Sequence, residues 1–130
     1  MTNESQILIY IVDDDRSVRL SLEMLLCSAN MAVMAYESAK KFLESEIRKE
    51  NVCLITDIKM KGMSGLDLQK ELNNRGISLP VIFLTAFDSD GERKQAQSRG
   101  AAGFFRKPVD DSALIDAIKW AIGDNINCTK

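Results

Sequence analysis

The amino-acid sequence predicts an α/β protein in which helices cover both faces of a five-stranded parallel sheet. Five short apolar runs alternate with longer amphipathic segments along its 130 residues. The short runs have the length of buried strands, and the longer segments repeat apolar residues at helical spacing. Because the connections between segments are short, consecutive strands are expected to lie parallel and to be joined by helices that cross the sheet.

Three strands and two helices are predicted in the first half of the chain. The strands are expected at residues 7–12, 32–36 and 52–56, where apolar residues run together. Asp15 stands immediately before the first periodic segment and is expected to cap that helix. Ser38 is expected to cap the second helix, which carries Phe42, Leu43 and Ile47.

Three further helices and two further strands are predicted in the second half. They are expected as a helix ended by Gly76, a strand at 81–84, a polar helix at 88–100, a strand at 103–106 and a helix reaching residue 122. A single domain is therefore predicted for residues 1–122. Residues 123–130 are expected to form a C-terminal tail or the start of a linker.

Composition and charge argue against several classes of protein. Hydrophobic residues make up 45% of the chain and charged residues 28%, so a packed core in a soluble protein is expected. The formal net charge of -2 argues against a basic nucleic-acid-binding surface. The first apolar run is too short to cross a membrane and lacks the basic segment of a signal peptide, so a cytoplasmic location is expected. The absence of histidine excludes histidine-ligated metal sites.

The cysteines indicate neither a metal site nor a disulfide framework. Cys27, Cys53 and Cys128 are odd in number and far apart in the sequence. Cys53 lies within a predicted strand and Cys27 within a predicted amphipathic helix. Both are therefore expected to be small core residues.

Polar side chains that could do chemistry follow four of the five predicted strands. Asp13 and Asp14 follow the first strand, Asp57 the third, Thr85 the fourth and Lys107 the fifth. Because the carboxyl ends of parallel strands meet at one edge of a sheet, these groups are expected to share a pocket. A lone carboxylate after a strand is more often a turn former or a helix cap, so the prediction depends on the coincidence of four strand ends.

The expected pocket suits a divalent cation and a phosphoryl group. Carboxylate oxygens are the ligands that Mg²⁺ prefers, and a bound cation relieves the repulsion between crowded acids. Asp57 could act as a nucleophile and form an aspartyl phosphate. The Lys107 ammonium and the Thr85 hydroxyl could then bind phosphoryl oxygens, as positioning and charge neutralisation in phosphoryl transfer require.

Four motifs carry a resemblance to a known family. They are residues 11–15, Asp57 with Met60 and residues 62–68, Leu84-Thr85-Ala86, and Lys107-Pro108. In their order and spacing they resemble the response-regulator receiver domain of two-component signalling systems, over about residues 6–122. The resemblance implies a doubly wound, flavodoxin-like sheet of strand order 2-1-3-4-5 flanked by five helices.

The resemblance implies a metal site with assigned ligands. Asp57 matches the phosphoacceptor, and Asp14 matches the carboxylate that binds magnesium directly. Asp13 matches the second acid, which holds the ion through water, and Lys59 occupies the position whose backbone carbonyl completes the metal shell. The implied cofactor is Mg²⁺, for which Mn²⁺ could substitute.

The resemblance also implies a readout of phosphorylation. Thr85 and Lys107 match the hydroxyl and the ammonium that bind the phosphoryl group, and Phe104 matches the aromatic switch position. Phe104 is phenylalanine where tyrosine is usual, so its switching must depend on packing rather than on a hydroxyl. The Lys107-Pro108 bond is a candidate cis peptide.

Three further features of the sequence modify these expectations. The family usually has proline where this chain has Lys61, and the Lys61 and Lys59 side chains are expected to point into solvent. Phe87 could exclude water from phospho-Asp57 and lengthen its lifetime, or it could simply pack on the fourth helix. That helix is polar and is expected to dock weakly. Trp120 is expected either at the edge of the core or within it.

The function implied by the resemblance is a phosphorylation-dependent signalling switch. A histidine kinase or a phosphotransfer protein would donate a phosphoryl group to Asp57. The face formed by the fourth helix, fifth strand and fifth helix would then control an output partner or domain, and it could form a homodimer. The chain would catalyse its own phosphorylation and dephosphorylation without being a turnover enzyme. Neither nucleic-acid binding nor membrane contact is expected of this chain.

Two alternatives belong to other functional classes. A haloacid-dehalogenase-type phosphatase would use Asp13 and Asp15, but Arg16 stands where a small or β-branched residue is expected and Asp57 is left without a role. A binding module that has lost phosphorylation would not need the complete set of acids together with Lys107. Both alternatives are therefore less favoured than the signalling switch.

Overall fold

The computed structural model describes residues 6–86 and 90–127, with side chains described as far as Gly123. The strands in these residues are β1 (Leu8–Val12), β2 (Ala32–Tyr36), β3 (Val52–Asp57), β4 (Val81–Thr85) and β5 (Gly103–Arg106). The helices are α1 (Arg16–Ser28), α2 (Ala39–Glu44), α3 (Gly65–Asn74), α4 (Asp90–Ser98) and α5 (Asp111–Asn127). Strands and helices alternate along the chain, as the sequence predicts.

The strands form one parallel sheet in the order β2-β1-β3-β4-β5. This arrangement confirms the doubly wound fold and its strand order. The chain moves outward in opposite directions from β1 and from β3, so the crevice between their carboxyl ends is the topological switch point where ligands bind in such folds. Val12 pairs with Thr56 at that crevice, which aligns the residues that follow β1 with the end of β3.

The sheet separates two apolar cores. Tyr10, Phe42 and Phe83 belong to the core under α2, α3 and α4, whereas Ile11 and Ile118 belong to the core under α1 and α5. Because both faces are covered, β1, β3 and β4 are buried along their whole length. This is why the central strands appear in the sequence as continuous apolar runs rather than as alternating ones.

Both predicted helix caps are confirmed. The Asp15 carboxylate accepts hydrogen bonds from the backbone N–H groups of Ser17 (2.8 Å) and Val18 (3.4 Å). The Ser38 hydroxyl accepts a hydrogen bond from the backbone N–H of Lys41 at 3.1 Å. These bonds satisfy N–H groups that have no partner within a helix.

Several element ends differ from the sequence-based expectation. α2 ends at Glu44 and excludes Ile47, because the next segment is held by the Tyr10 hydroxyl, which accepts the backbone N–H of Arg48 at 2.8 Å. Ile47 still packs on the core from outside the helix. α5 continues past residue 122 to Asn127, and the domain boundary expected near 122 remains a prediction.

Three expectations about burial are settled by the structure. Cys53 is fully buried, which raises the pKa of its thiol to about 12, whereas Cys27 is exposed, so its expected place in the core is wrong. Trp120 is 69% exposed on α5 and therefore lies outside the core. The Lys107-Pro108 peptide bond is cis.

Candidate metal and phosphoryl site

Three carboxylates converge at the switch point of the sheet. Asp57 is the last residue of β3, and Asp13 and Asp14 directly follow β1. One oxygen from each of these side chains lies within 4.8 Å of the others. Asp13 and Asp57 are buried, with exposed fractions of 2% and 9%, whereas Asp14 is exposed to solvent. The structure therefore brings together the acids that the sequence predicts.

A single ammonium group bridges the two buried acids. Lys107 Nζ lies 2.9 Å from Asp13 Oδ2 and 3.0 Å from Asp57 Oδ2. The backbone N–H of Lys107 donates to the Thr85 carbonyl at 2.7 Å, so the end of β5 is tied to the end of β4. The lysine is thus held beside the acids by the sheet edge itself.

The electrostatics of the site leave an excess of negative charge. Burial raises the pKa of the Asp13 carboxyl, although hydrogen bonds from the Asp15 N–H and from Lys107 act in the opposite direction. Burial also disfavours the charged Lys107 ammonium, but hydrogen bonds to Asp13 and Asp57 outweigh it and raise the Lys107 pKa. Three carboxylates and one ammonium fit a hard divalent cation, which would relieve the remaining repulsion.

Backbone N–H groups fix the orientation of each carboxylate. The N–H of Asp15 donates to Asp13 Oδ1 at 2.9 Å, and the N–H of Ile58 donates to Asp57 Oδ1 at 2.7 Å. These two bonds and the Lys107 bridge engage opposite oxygens of each buried carboxylate. Asp14 accepts its backbone hydrogen bond from the distant Lys61, at 3.2 Å from Oδ2.

The remaining predicted residues lie around the acids. Thr85 is the last residue of β4 and is buried, at the same edge of the sheet. The Lys59 and Lys61 side chains are exposed, as expected, and together with Asp14 and Glu92 they line an open cavity of about 480 Å³ beside the site. The role of the Lys59 backbone carbonyl remains a prediction.

Phe104 lies on the α4 side of β5. Its ring packs against Phe83, with centroids 6.1 Å apart, and the Arg93 guanidinium of α4 lies 4.6 Å from its centroid. The ring is half-buried at the boundary between the core and α4. Phe87, to which the sequence analysis gives a shielding role, lies outside the described residues.

Gly65 is a position beside the site to which the sequence analysis assigns no role, although it lies within the motif at residues 62–68. Its N–H donates to the Ile58 carbonyl at 2.8 Å, which closes the loop between β3 and α3. A Cβ atom at Gly65 would lie 2.1 Å from the backbone oxygen of Asp57. Glycine weakens a helix, so a glycine at the start of one indicates a position where a side chain would not fit. This is the signal in the sequence that could have identified the close approach.

Arg19 is a second such position. Its guanidinium donates to the Asp13 carbonyl at 2.7 Å and so ties α1 to the start of the acidic loop. No pattern in the sequence distinguishes this arginine from an ordinary solvent-facing charge on an amphipathic helix. The contact depends on how α1 is placed against the sheet.

Comparisons with known proteins agree with this geometry. The family model "Response regulator receiver domain" matches residues 9–119. The chain is 41% identical to "Transcriptional regulatory protein TdiR" of Thauera aromatica over 117 residues, covering 90% of this chain and 52% of the relative. It is 41% identical to "Transcriptional regulatory protein FixJ" of Azorhizobium caulinodans over 115 residues, covering 88% and 54%. The chain thus spans about half the length of these curated relatives.

Solved structures show the same likeness. The response regulator StyR superimposes with a TM-score of 0.86 at 35% identity, covering 95% of this chain and 63% of that one. The crystal structure of FixJ-N superimposes with a TM-score of 0.81 at 34% identity, covering 90% of this chain and 94% of that one. These likenesses to receiver structures agree with the strand order and helix arrangement described above.

The comparisons also bear on the alternatives. None of these relatives is named as a phosphatase, so the haloacid-dehalogenase alternative gains no support. Two relatives are named as transcriptional regulators, so the expectation that this chain does not bind nucleic acid directly also gains no support. No helix among the described residues is long and apolar enough to cross a membrane. From the match across most of its length and from its acidic pocket, the chain belongs to the response-regulator receiver family of two-component systems.

Proposed function

We propose that Asp57 is the phosphoacceptor and that it takes a phosphoryl group from a histidine kinase or a phosphotransfer protein. The observation that supports this proposal is the convergence of Asp13, Asp14 and Asp57 beside the Lys107 ammonium. In the reaction, the bond from phosphorus to the donor nitrogen breaks and a bond from phosphorus to an Asp57 oxygen forms. The chain promotes this reaction on itself and is not a turnover enzyme.

Mg²⁺ is the proposed cofactor, and Mn²⁺ could replace it. The carboxylates of Asp13, Asp14 and Asp57 and the backbone carbonyl of Lys59 would hold the ion. A cation bound there would neutralise charge on the phosphoryl oxygens during transfer. The donor set favours a hard cation because all of its members are oxygens.

Individual residues of the chain would orient Asp57 and bind the phosphoryl oxygens. The Ile58 N–H holds Oδ1 of Asp57 at 2.7 Å, which leaves Oδ2 as the oxygen for attack on phosphorus. Lys107 contacts that same Oδ2 in the unphosphorylated site, so it is placed to transfer its hydrogen bond to a phosphoryl oxygen. The Thr85 hydroxyl would bind another phosphoryl oxygen.

The proposed readout passes from Thr85 to the face formed by α4, β5 and α5. Phe104 lies on this face between Phe83 and Arg93, where a change in its packing would alter its contact with α4. The face would control an output partner or domain, or form a homodimer. Because relatives twice as long are named as transcriptional regulators, an output acting on transcription is part of the proposal. The domain limits at 1–122 and a cytoplasmic location remain predictions.

Phosphorylation by acetyl phosphate tests the proposal directly. Intact-mass spectrometry should show one phosphoryl adduct that requires Mg²⁺ and maps to Asp57. The adduct should be lost in Asp57→Ala but kept in Asp67→Ala, an exposed acid in the first turn of α3. An adduct that persisted in Asp57→Ala, or that formed equally well in EDTA, would contradict the assignment.

A further inference from the structure

Asp14 is held differently from the other two acids of the site. The buried acids receive their backbone hydrogen bonds from residues within two positions along the chain, and both also contact Lys107. Asp14 is exposed, and its backbone hydrogen bond comes from Lys61, 47 residues away in the loop between β3 and α3. The orientation of Asp14 therefore depends on a contact between two separate loops.

We propose that the backbone N–H of Lys61 is a positioning group that holds Asp14 ready for the cation. This inference rests on the proposed function, because it assigns a role toward the ion of that site. The N–H binds Asp14 Oδ2 and leaves Oδ1 available as a metal ligand. A proline at position 61, which is the usual residue in the family that this sequence resembles, has no N–H and cannot make this bond.

The loop that carries Lys61 is well fixed at its far end. The Gly65 N–H donates to the Ile58 carbonyl at 2.8 Å, and the Ser64 hydroxyl caps α3 by accepting the N–H of Asp67 at 3.0 Å. An N–H presented from such a loop keeps its direction, so it restricts an exposed carboxylate that would otherwise sample several rotamers. Restricting a ligand before binding lowers the entropic cost of metal binding.

The Lys61 side chain is a separate variable. It is exposed and lines the cavity beside Asp14, so its ammonium could alter cation binding by charge alone. Lys61→Pro removes both the N–H and the ammonium, whereas Lys61→Ala removes only the ammonium. The ratio of the Mg²⁺ affinities of Lys61→Pro and Lys61→Ala therefore reports the loss of the N–H without the effect of the side-chain charge.

Isothermal titration with Mg²⁺ measures that ratio on the full chain. Lys61→Pro is expected to bind Mg²⁺ roughly threefold to tenfold more weakly than Lys61→Ala, which is the effect of losing one ordinary solvent-exposed hydrogen bond. Equal affinities, or tighter binding by Lys61→Pro, would overturn the inference. Wild-type protein that bound no Mg²⁺ and formed no acyl phosphate would overturn the proposed function as well, so the two failures are distinguishable.

A second measurement separates the hydrogen bond from a change in loop shape, since proline also restricts Met60. Amide hydrogen exchange is followed by NMR in EDTA for wild type and for Asp14→Ala. The Lys61 amide should exchange several-fold faster in Asp14→Ala, while the Ile58 amide, bonded to Asp57, keeps its rate. If the exchange rate of the Lys61 amide were the same in wild type and in Asp14→Ala, the hydrogen bond would not persist in solution and the inference would be wrong.

Discussion

Gly65 approaches Asp57 so closely that a Cβ atom on the glycine would lie 2.1 Å from the Asp57 carbonyl oxygen. The loop between β3 and α3 folds back on itself, and α3 begins against the backbone of Asp57, the proposed phosphoacceptor. The approach also puts a Cβ at Gly65 within 3.1 Å of the Ile58 Cα. The position thus requires a residue without a side chain, and it links the start of α3 to the geometry of the site.

Gly65→Ala is expected to destabilise the fold and to impair phosphorylation together. The new methyl group meets backbone rather than a flexible side chain, so the chain at Asp57 must shift, at a cost of about 1–3 kcal/mol. Urea unfolding and acetyl-phosphate labelling measure the two effects. Gly123→Ala is the matched control: a Cβ there meets nothing within 4 Å, and in a helix it should stabilise by about 0.5–1 kcal/mol. Labelling at the wild-type rate in Gly65→Ala would refute the proposed link.

Lys107→Met is expected to destabilise the metal-free protein by about 1–3 kcal/mol, because Asp13 and Asp57 lose the hydrogen bonds of their shared ammonium. Mg²⁺ should recover much of the loss, since a cation can replace the missing charge. Unfolding in EDTA and in saturating Mg²⁺ measures both quantities, with the exposed Lys119→Met as control.

The pH dependence of the Lys107 effect provides a second check. The raised pKa means that the ammonium stabilises the fold below its ordinary value of 10.5 and that this stabilisation is lost as pH rises above it. The difference between wild type and Lys107→Met should therefore be constant between pH 7 and pH 9 and should narrow at higher pH. A difference that widened above pH 10.5 would show that the lysine is not held by the two acids.

Cys53 is expected to limit stability in alkali. Its pKa is raised by burial from 9.0 to about 12, so the fold favours the neutral thiol. The neutral Cys53 thiol therefore does not reduce the stability of the fold below pH 9. The free energy of unfolding falls progressively as pH rises from 9 toward 12, because the thiol ionises more readily in the unfolded chain. By pH 11 wild type should lose about 2–3 kcal/mol relative to Cys53→Val, which is similar in size and cannot ionise. Parallel unfolding free energies of the two proteins between pH 8 and pH 11 would contradict this prediction.

The acids and the lysine of the site could be predicted from sequence for a physical reason. A parallel sheet brings all its carboxyl ends to one edge, so polar residues at several strand ends must meet whatever their separation along the chain. The register that pairs Val12 with Thr56 is enough to align Asp13 with Asp57. The fold class follows from the same short apolar runs. Neither prediction needs the detailed path of a loop.

Features that depend on one helix face or one loop could not be predicted. α1 carries more apolar residues than its buried stripe can hold, so Leu20, Met24 and Cys27 are exposed although their residue types suggest burial. The Lys61 contact with Asp14 depends on the path of a loop. Periodicity identifies a helix but does not say which of two adjacent apolar stripes faces the sheet.

The two ends of α4 are attached to the protein in different ways, which extends the sequence-based expectation of weak docking. The Gln69 amide donates to the carbonyls of Ala96 (3.3 Å) and Arg99 (3.4 Å), which fixes the C-terminal end of the helix against α3. Nearer its N-terminus, Arg93 lies over the Phe104 ring. Because these contacts are separate, we expect a substitution at one end of α4 to leave amide exchange at the other end unchanged.

Substitutions at the two ends of α4 should therefore accelerate amide exchange at different ends of the helix. Arg93→Met removes a cation–π contact worth about 0.5–1 kcal/mol, so amide exchange in the first half of α4 should accelerate roughly twofold to fivefold. Gln69→Met should instead accelerate exchange around Ala96 and Arg99, because their carbonyls lose a buried donor. NMR exchange in EDTA measures both, with the exposed Lys94→Met as control. If both variants accelerated the whole helix equally, α4 would be one cooperative unit, and a phosphorylation signal at Phe104 could not move one end alone.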